Sequence, residues 1–308
     1  MTRQRPQKRP QNGDGHALTV GGPWQAAAMA PEQFGTLDLT RINRSWSAIE
    51  QLQPALERAD AFDANPGATF TARRFDEAQA AGKRTYILCG QLLASALDHH
   101  FALRDLLLGN HGLTPFAPWT LMRSVFEASV LVHWILEPAE GIERRRRGLR
   151  RTCLDLKEHK NWMDAAVAGS EVEAAKAAKR HAEVTSIYQA EAADLGIPWS
   201  KIHQTMKMTE ELPKLDVVRT LFADQASFSV VVWRWLSGHA HGFGYATVAS
   251  SKIERSVQIP GGQAVVVTVG DDSFTAIAMM TAMMLLKAIL LYADRSERPI
   301  AAPSAATL

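Results

Sequence analysis

Apolar residues recur at steps of three and four along most of the chain, the period of one helical face. Residues 37–61 carry this pattern up to a break at Asn65, Pro66 and Gly67. A longer helix is predicted over 71–108, through Ile87, Leu92, Leu93, Leu97, Phe101 and Leu108, with Gly109, Asn110 and Gly112 ending it. Residues 119–136 are apolar almost all round, the mark of a helix enclosed by others, and Pro138 closes it. Charged helices follow over 140–168 and 170–195, with a short one near 199–211. Residues 215–238 are again strongly apolar and form a second central helix that stops at Gly238, Gly242 and Gly244.

The period then changes to two. Ile253, Val257 and Ile259 alternate with Glu254, Ser256 and Gln258, and Pro260-Gly261-Gly262 separates them from residues 263–269, which predicts a β-hairpin. Two strands alone are marginal, so the hairpin must pack on the helices. Ser273 is placed to cap a last helix. The fold class expected is all-α: a multi-helix bundle with a small β-hairpin, residues 252–269, before the C-terminal helix. One domain over 36–298 lies between disordered tails at 1–35 and 299–308.

Composition narrows the function classes. A chain of 308 residues with 46% hydrophobic residues can bury a substantial core. Its charge of +2, from 34 basic and 32 acidic residues, gives no global attraction to nucleic acid, so any basic surface is local. Cys89 and Cys153 fall in helical segments without disulfide or metal spacing and suit a reducing cytoplasm. Residues 1–15 are rich in Arg, Gln, Pro and Gly and lack the apolar core of an export signal. Residues 274–293 match a bilayer in length, but Lys287 and the Met and Ala content read as a packed core helix. A soluble cytoplasmic protein without a membrane span is expected.

Candidate chemistry lies on the two central helices. Arg123 and Glu127, four residues apart, share a helical face where burial is costly unless they pair. They serve either as a strut between helices or as a polar pocket. On the second helix Arg234, Ser237 and His241 fall at i, i+3 and i+7, on one face, whereas His239 points elsewhere. A histidine there can transfer protons near neutral pH, and an arginine fork can hold a phosphate or carboxylate. Equally, both can simply satisfy the helix C-terminus. With Arg123 and Glu127 they are expected to form one polar cluster, His239 being the alternative histidine.

Arg234 followed by His241 or His239 resembles the R-x(4-6)-H signature of the HEPN superfamily, helical bundles that include metal-independent ribonucleases of toxin and antiphage systems. Arg123-Ser124-Val125-Phe126-Glu127 is similar to the R-S-x-x-E of uncharacterised bacterial HEPN-like proteins. Trp233, Arg234, Leu236, Ser237, His241 and Gly242 match their aromatic-R-x-L-S-x-x-x-H-G pattern. The resemblance implies a homodimer in which His241 assists 2′-hydroxyl attack on the adjacent phosphate and Arg234 stabilises developing charge, with no metal or cofactor. Ribonuclease members usually place Asn, Asp or His after the arginine. Trp235 stands there, which favours a non-catalytic binding or interaction module, for RNA or a small anionic ligand.

Residues 144–151, Arg-Arg-Arg-Arg-Gly-Leu-Arg-Arg, are a second candidate, with Arg144, Arg147 and Arg151 as phosphate contacts. Four consecutive arginines point four ways on a helix, and Glu140 and Glu143 stand four residues before Arg144 and Arg147, so a solvated, salt-bridged helix is the expectation. Metal sites are disfavoured: Asp98-His99-His100 and Glu158-His159 are sequence neighbours that diverge by about 100° on a helix.

Overall fold

The computed structural model describes residues 17–20, 39–60, 71–108, 116–260, 262–269 and 271–298. Among these residues twelve α-helices and three strands run in the order β1 (Ala17–Val20), α1 (Leu39–Gln51), α2 (Gln53–Asp60), α3 (Ala72–Glu77), α4 (Ala80–Leu108), α5 (Ala117–Leu136), α6 (Gly141–Ala166), α7 (Glu171–Asp194), α8 (Met208–Glu211), α9 (Asp216–Phe222), α10 (Phe228–Ala240), α11 (Gly244–Ser250), β2 (Ser251–Ile259), β3 (Gly262–Val269) and α12 (Asp271–Glu297). The helical class expected from the periodicity is present.

Helix α5 is the centre. Thirteen of its twenty residues are buried, and α4, α6, α10 and α12 all pack on it. At the other extreme, α7 buries only Ala192. Alanine and pairs such as Lys176–Glu173 support such an exposed helix locally. Helix α12 is long and apolar enough to cross a bilayer, yet 56% of its apolar window is buried within the chain. Phe274, Ile277, Leu285 and Ile289 join the main core.

Several expected elements differ, and the helix read over 37–61 is two, α1 and α2. The predicted 71–108 helix is two, because α3 turns back so tightly that a Cβ on Gly82 would lie 1.8 Å from the Asp76 carbonyl oxygen. The predicted 215–238 helix is also two. Residues 223–227, Ala-Asp-Gln-Ala-Ser, offer no large apolar side chain to continue the buried stripe, and Ala223 takes φ 45. That bend lets α10 lie along α5. The hairpin forms as predicted, β2 antiparallel to β3 with Ile259 opposite Gly262. Its support includes a strand from the segment read as a tail: β1 pairs with β3, giving the order β1-β3-β2. The rest of the expected tails lies outside the described residues, and Ser273 lies within α12, not at its cap.

The arginine run is largely internal. A helix leaves its last carbonyls without partners, and those of α5 and its exit turn are met by three arginines. Arg147 Nη1 donates to Trp134 O at 2.7 Å. Arg295, from α12, donates to Leu136 O and Glu137 O, both at 3.0 Å. Arg144 Nη1 reaches Pro138 O and Ala139 O at 2.8 and 2.7 Å, while its Nε donates to Asp76 Oδ2 at 2.7 Å. Asp76 is wholly buried and also accepts from Tyr86 Oη at 3.2 Å. Burial pushes its carboxyl up, against the pull of Arg144. Arg145 is buried over the Phe75 ring, and Arg146 donates to Leu195 O at the end of α7. A solvated helix is therefore correct only for the later part of α6, where Lys160 pairs with Asp164.

Truncating Arg144 leaves Asp76 as an uncompensated buried charge, so Arg144→Ala is expected to cost about 3–5 kcal/mol in urea unfolding at pH 7. Lys160→Ala, which removes an exposed pair, is expected to change stability by less than about 1 kcal/mol. Equal small losses would contradict the assignment of Arg144 to the core.

Candidate functional site

Helix α10 crosses α5 antiparallel to it. Trp119, at the start of α5, lies against His239 and Trp235 late in α10, whereas Glu127, two turns further on, meets Trp233. Glu127 Oε1 accepts from Arg123 Nε and from Trp233 Nε1, both at 3.0 Å. The Arg123–Glu127 pair thus forms on α5 and ties it to α10. Its side chains are 24% and 30% exposed, so its desolvation is only partial. No ion pair or hydrogen bond joins Arg123 or Glu127 to Arg234 or His241 among the described residues.

The two histidines separate by burial. His239 is 3% exposed, with its ring parallel to Trp119 at 4.7 Å, and burial holds its pKa down at about 4. It is a core residue. His241 lies one residue past the helix end and is exposed, as is Arg234, with Ser237 half-buried between them. The helix closes through Gly242, whose φ of +67 favours glycine, and through hydrogen bonds from Gly242 N to His239 O and Phe243 N to Gly238 O. Trp235 turns inward one helical step from Arg234, stacks near Trp119 at 6.1 Å, and has a buried Nε1 without a hydrogen-bond partner.

Sequence reasoning missed the aromatic half of this surface. Helix α11 folds back on α10 because Gly238 has no side chain; a Cβ there would lie 2.7 Å from Tyr245 Oη and 2.8 Å from Ala246 Cβ. Tyr245 donates its hydroxyl hydrogen to the Arg234 carbonyl at 3.1 Å. Its ring stacks with Phe243 at 6.0 Å, and Phe243 contacts His241 at 5.8 Å. Phe243 and Tyr245 are 53% and 48% exposed. Phe243, between Gly242 and Gly244, was the available signal, whereas Tyr245 falls within α11.

Of the candidate phosphate contacts in α6, Arg144 is 2% exposed and fully engaged internally, which removes it from any surface. Arg147 is engaged by Glu143, by Trp134 O and by the Trp134 ring. Arg151 is half-buried with its Nε enclosed. Arg144 and Arg147 are thus held by internal partners. His100, in the Asp98-His99-His100 run, is buried beside Trp46, its pKa lowered to about 4 by burial and then by Arg104, while His99 is half-buried. No family model, curated protein or solved structure matches the chain.

The buried histidines fix the sign of a pH response. Both have folded-state pKa values below the ordinary value of 6.5, so their contribution is present above pH 6.5 and is lost as pH falls towards 4. Acidification across that window is expected to remove up to roughly 3 kcal/mol for each histidine. His239→Phe keeps the ring stack on Trp119 and is expected to flatten the stability profile measured by urea unfolding between pH 7 and 4. An unchanged slope in that variant would contradict neutral burial of His239.

Proposed function

We propose that this chain is a HEPN-like helical binding module that engages an anionic ligand, RNA included, at the C-terminal end of α10, without cleaving it. The carrying observation is that Arg234 and His241 stand exposed beside two exposed, stacked aromatic rings. A guanidinium reads phosphate or carboxylate, and the histidine adds a second donor without a pre-formed catalytic partner. The aromatic Trp235 after the arginine turns into the core, so it supplies no polar group to a reacting phosphate.

A second reading, a metal-independent endoribonuclease, is favoured by the exposure of Arg234 and His241 with Ser237 half-buried between them. In that reading a second copy of the chain supplies the other half of the site and excludes water from it. The two readings separate on one experiment: incubation of the purified protein with mixed RNA in chelator, alongside an Arg234→Ala/His241→Ala variant. The binding reading expects intact RNA with both proteins and a retarded complex with the wild type that the variant loses. Fragments ending in 2′,3′-cyclic phosphates that disappear with the variant would establish the nuclease instead.

A further inference from the structure

Helix α11 and the hairpin that follows it are weakly founded when taken separately. A helix of 7 residues is too short to persist alone, and two strands are marginal without a third. The helix rests on α10 through Gly238 and Tyr245, with Ala246 and Thr247 buried. The hairpin gains little from its own surface, because Arg255, Ser256, Val257 and Gln258 of β2 are all exposed, Val257 at 63%. The two units are one continuous piece, since α11 ends at Ser250 and β2 begins at Ser251.

The third strand comes from far earlier in the chain. It lies antiparallel on β3 in an unbroken register, from Ala17 opposite Val266 to Val20 opposite Gln263, and so makes β3 the central strand. The opposite edge differs: β2 shifts register between Ile253 and Arg255, an irregularity that blunts an edge against further pairing. The regular edge is thus the one that takes a strand. Only 4 residues pair there, at the rim of the sheet, which places this pairing among the first contacts to open.

We propose that residues 17–20 are a detachable strap whose pairing with β3 holds the hairpin, and through it α11, against α10. With the strap in place the sheet has three strands and the C-terminal end of α11 is anchored. With the strap released, the hairpin and α11 open together and Tyr245 leaves the Arg234 carbonyl. The frame of α4, α5 and α6, joined by its own core and by Arg144 and Arg147, keeps its structure. A segment remote in sequence therefore sets the order of the surface formed by α10 and α11. The device does not depend on what that surface binds.

Hydrogen exchange of the full chain without ligand reads both states. A Leu18→Pro/Thr19→Pro variant removes a ladder donor from β1 in whichever phase the pairing runs, because adjacent N–H groups point to opposite sides of a strand. It is expected to lose protection in peptides spanning residues 244–259 and 262–269 and to keep it over 117–136 and 141–166. The same two prolines at Gln11 and Asn12, outside the strand, are expected to leave all four regions unchanged. Wild-type exchange across sub-denaturing urea gives a reading that needs no variant: residues 17–20, 244–259 and 262–269 are expected to open as one unit at lower urea than α5. Unchanged protection of residues 244–269 in the Leu18→Pro/Thr19→Pro variant overturns the proposal. So does a loss that extends to α5 and α6, an equal loss with the control prolines, or a wild type in which α11 opens only together with α5.

Discussion

The carbonyl end of α5 is the constraint on which the other elements depend. A nearly all-apolar helix at the centre of a bundle cannot leave its last carbonyls to water, so polar groups must be brought to them. Arg144 and Arg147 come from α6 and Arg295 from α12, and together they serve the carbonyls of Trp134 and of residues 136–139. Arg144 then passes its charge to Asp76 and so binds α3 to the same point. Gly141 makes this possible, since a Cβ there would lie 2.3 Å from Asp76 Oδ1. A side chain introduced at Gly148 would likewise strike Thr85, at 2.1 Å from its hydroxyl, so α6 lies directly on α4.

From that fixed end the chain is led to the surface of interest. The Glu137 carboxylate accepts from the backbone N–H groups of Asp216 and Val217, which places the start of α9 beside the end of α5. The bend at Ala223 reverses direction, and α10 returns along α5 with Trp233 on Glu127 and His239 on Trp119. These inward contacts use positions 233, 235 and 239, and helical spacing then leaves 234 and 241 for solvent. Burial of one set of side chains therefore determines the exposure of the other.

Much of the helical frame was legible because periodicity reports burial, and α5, α6 and α7 fall within a few residues of their predicted bounds. The splits after α3 and α9 were not, because each depends on a tertiary contact: Gly82 against the Asp76 backbone, and the turn that lays α10 on α5. The arginine run was misread for a related reason. Charge on a helix suggests water, whereas these side chains reach backbone carbonyls contributed by a helix that precedes them in the chain. At the candidate site helical spacing singled out Arg234, Ser237 and His241, of which Arg234 and His241 are exposed and Ser237 is half-buried. The separation of His239 from them followed too, but its burial against Trp119 required knowledge of which helix lies across from α10. Tyr245 could be recognised only once α11 was seen to fold back onto Gly238.

This arrangement gives the molecule a rigid, internally charged frame and an exposed edge in which cationic and aromatic groups are neighbours. Arg144, Arg145 and Arg147 of α6 belong to the frame and Arg234 of α10 to the edge, so ligand contact should be confined to the second. Hydrogen exchange of the full chain, with and without a short oligoribonucleotide, tests this most directly. The account predicts slowed exchange in peptides spanning residues 228–250 and none in those spanning 141–166; protection centred on α6, or no protection at α10 and α11 while the ligand is bound, would contradict it.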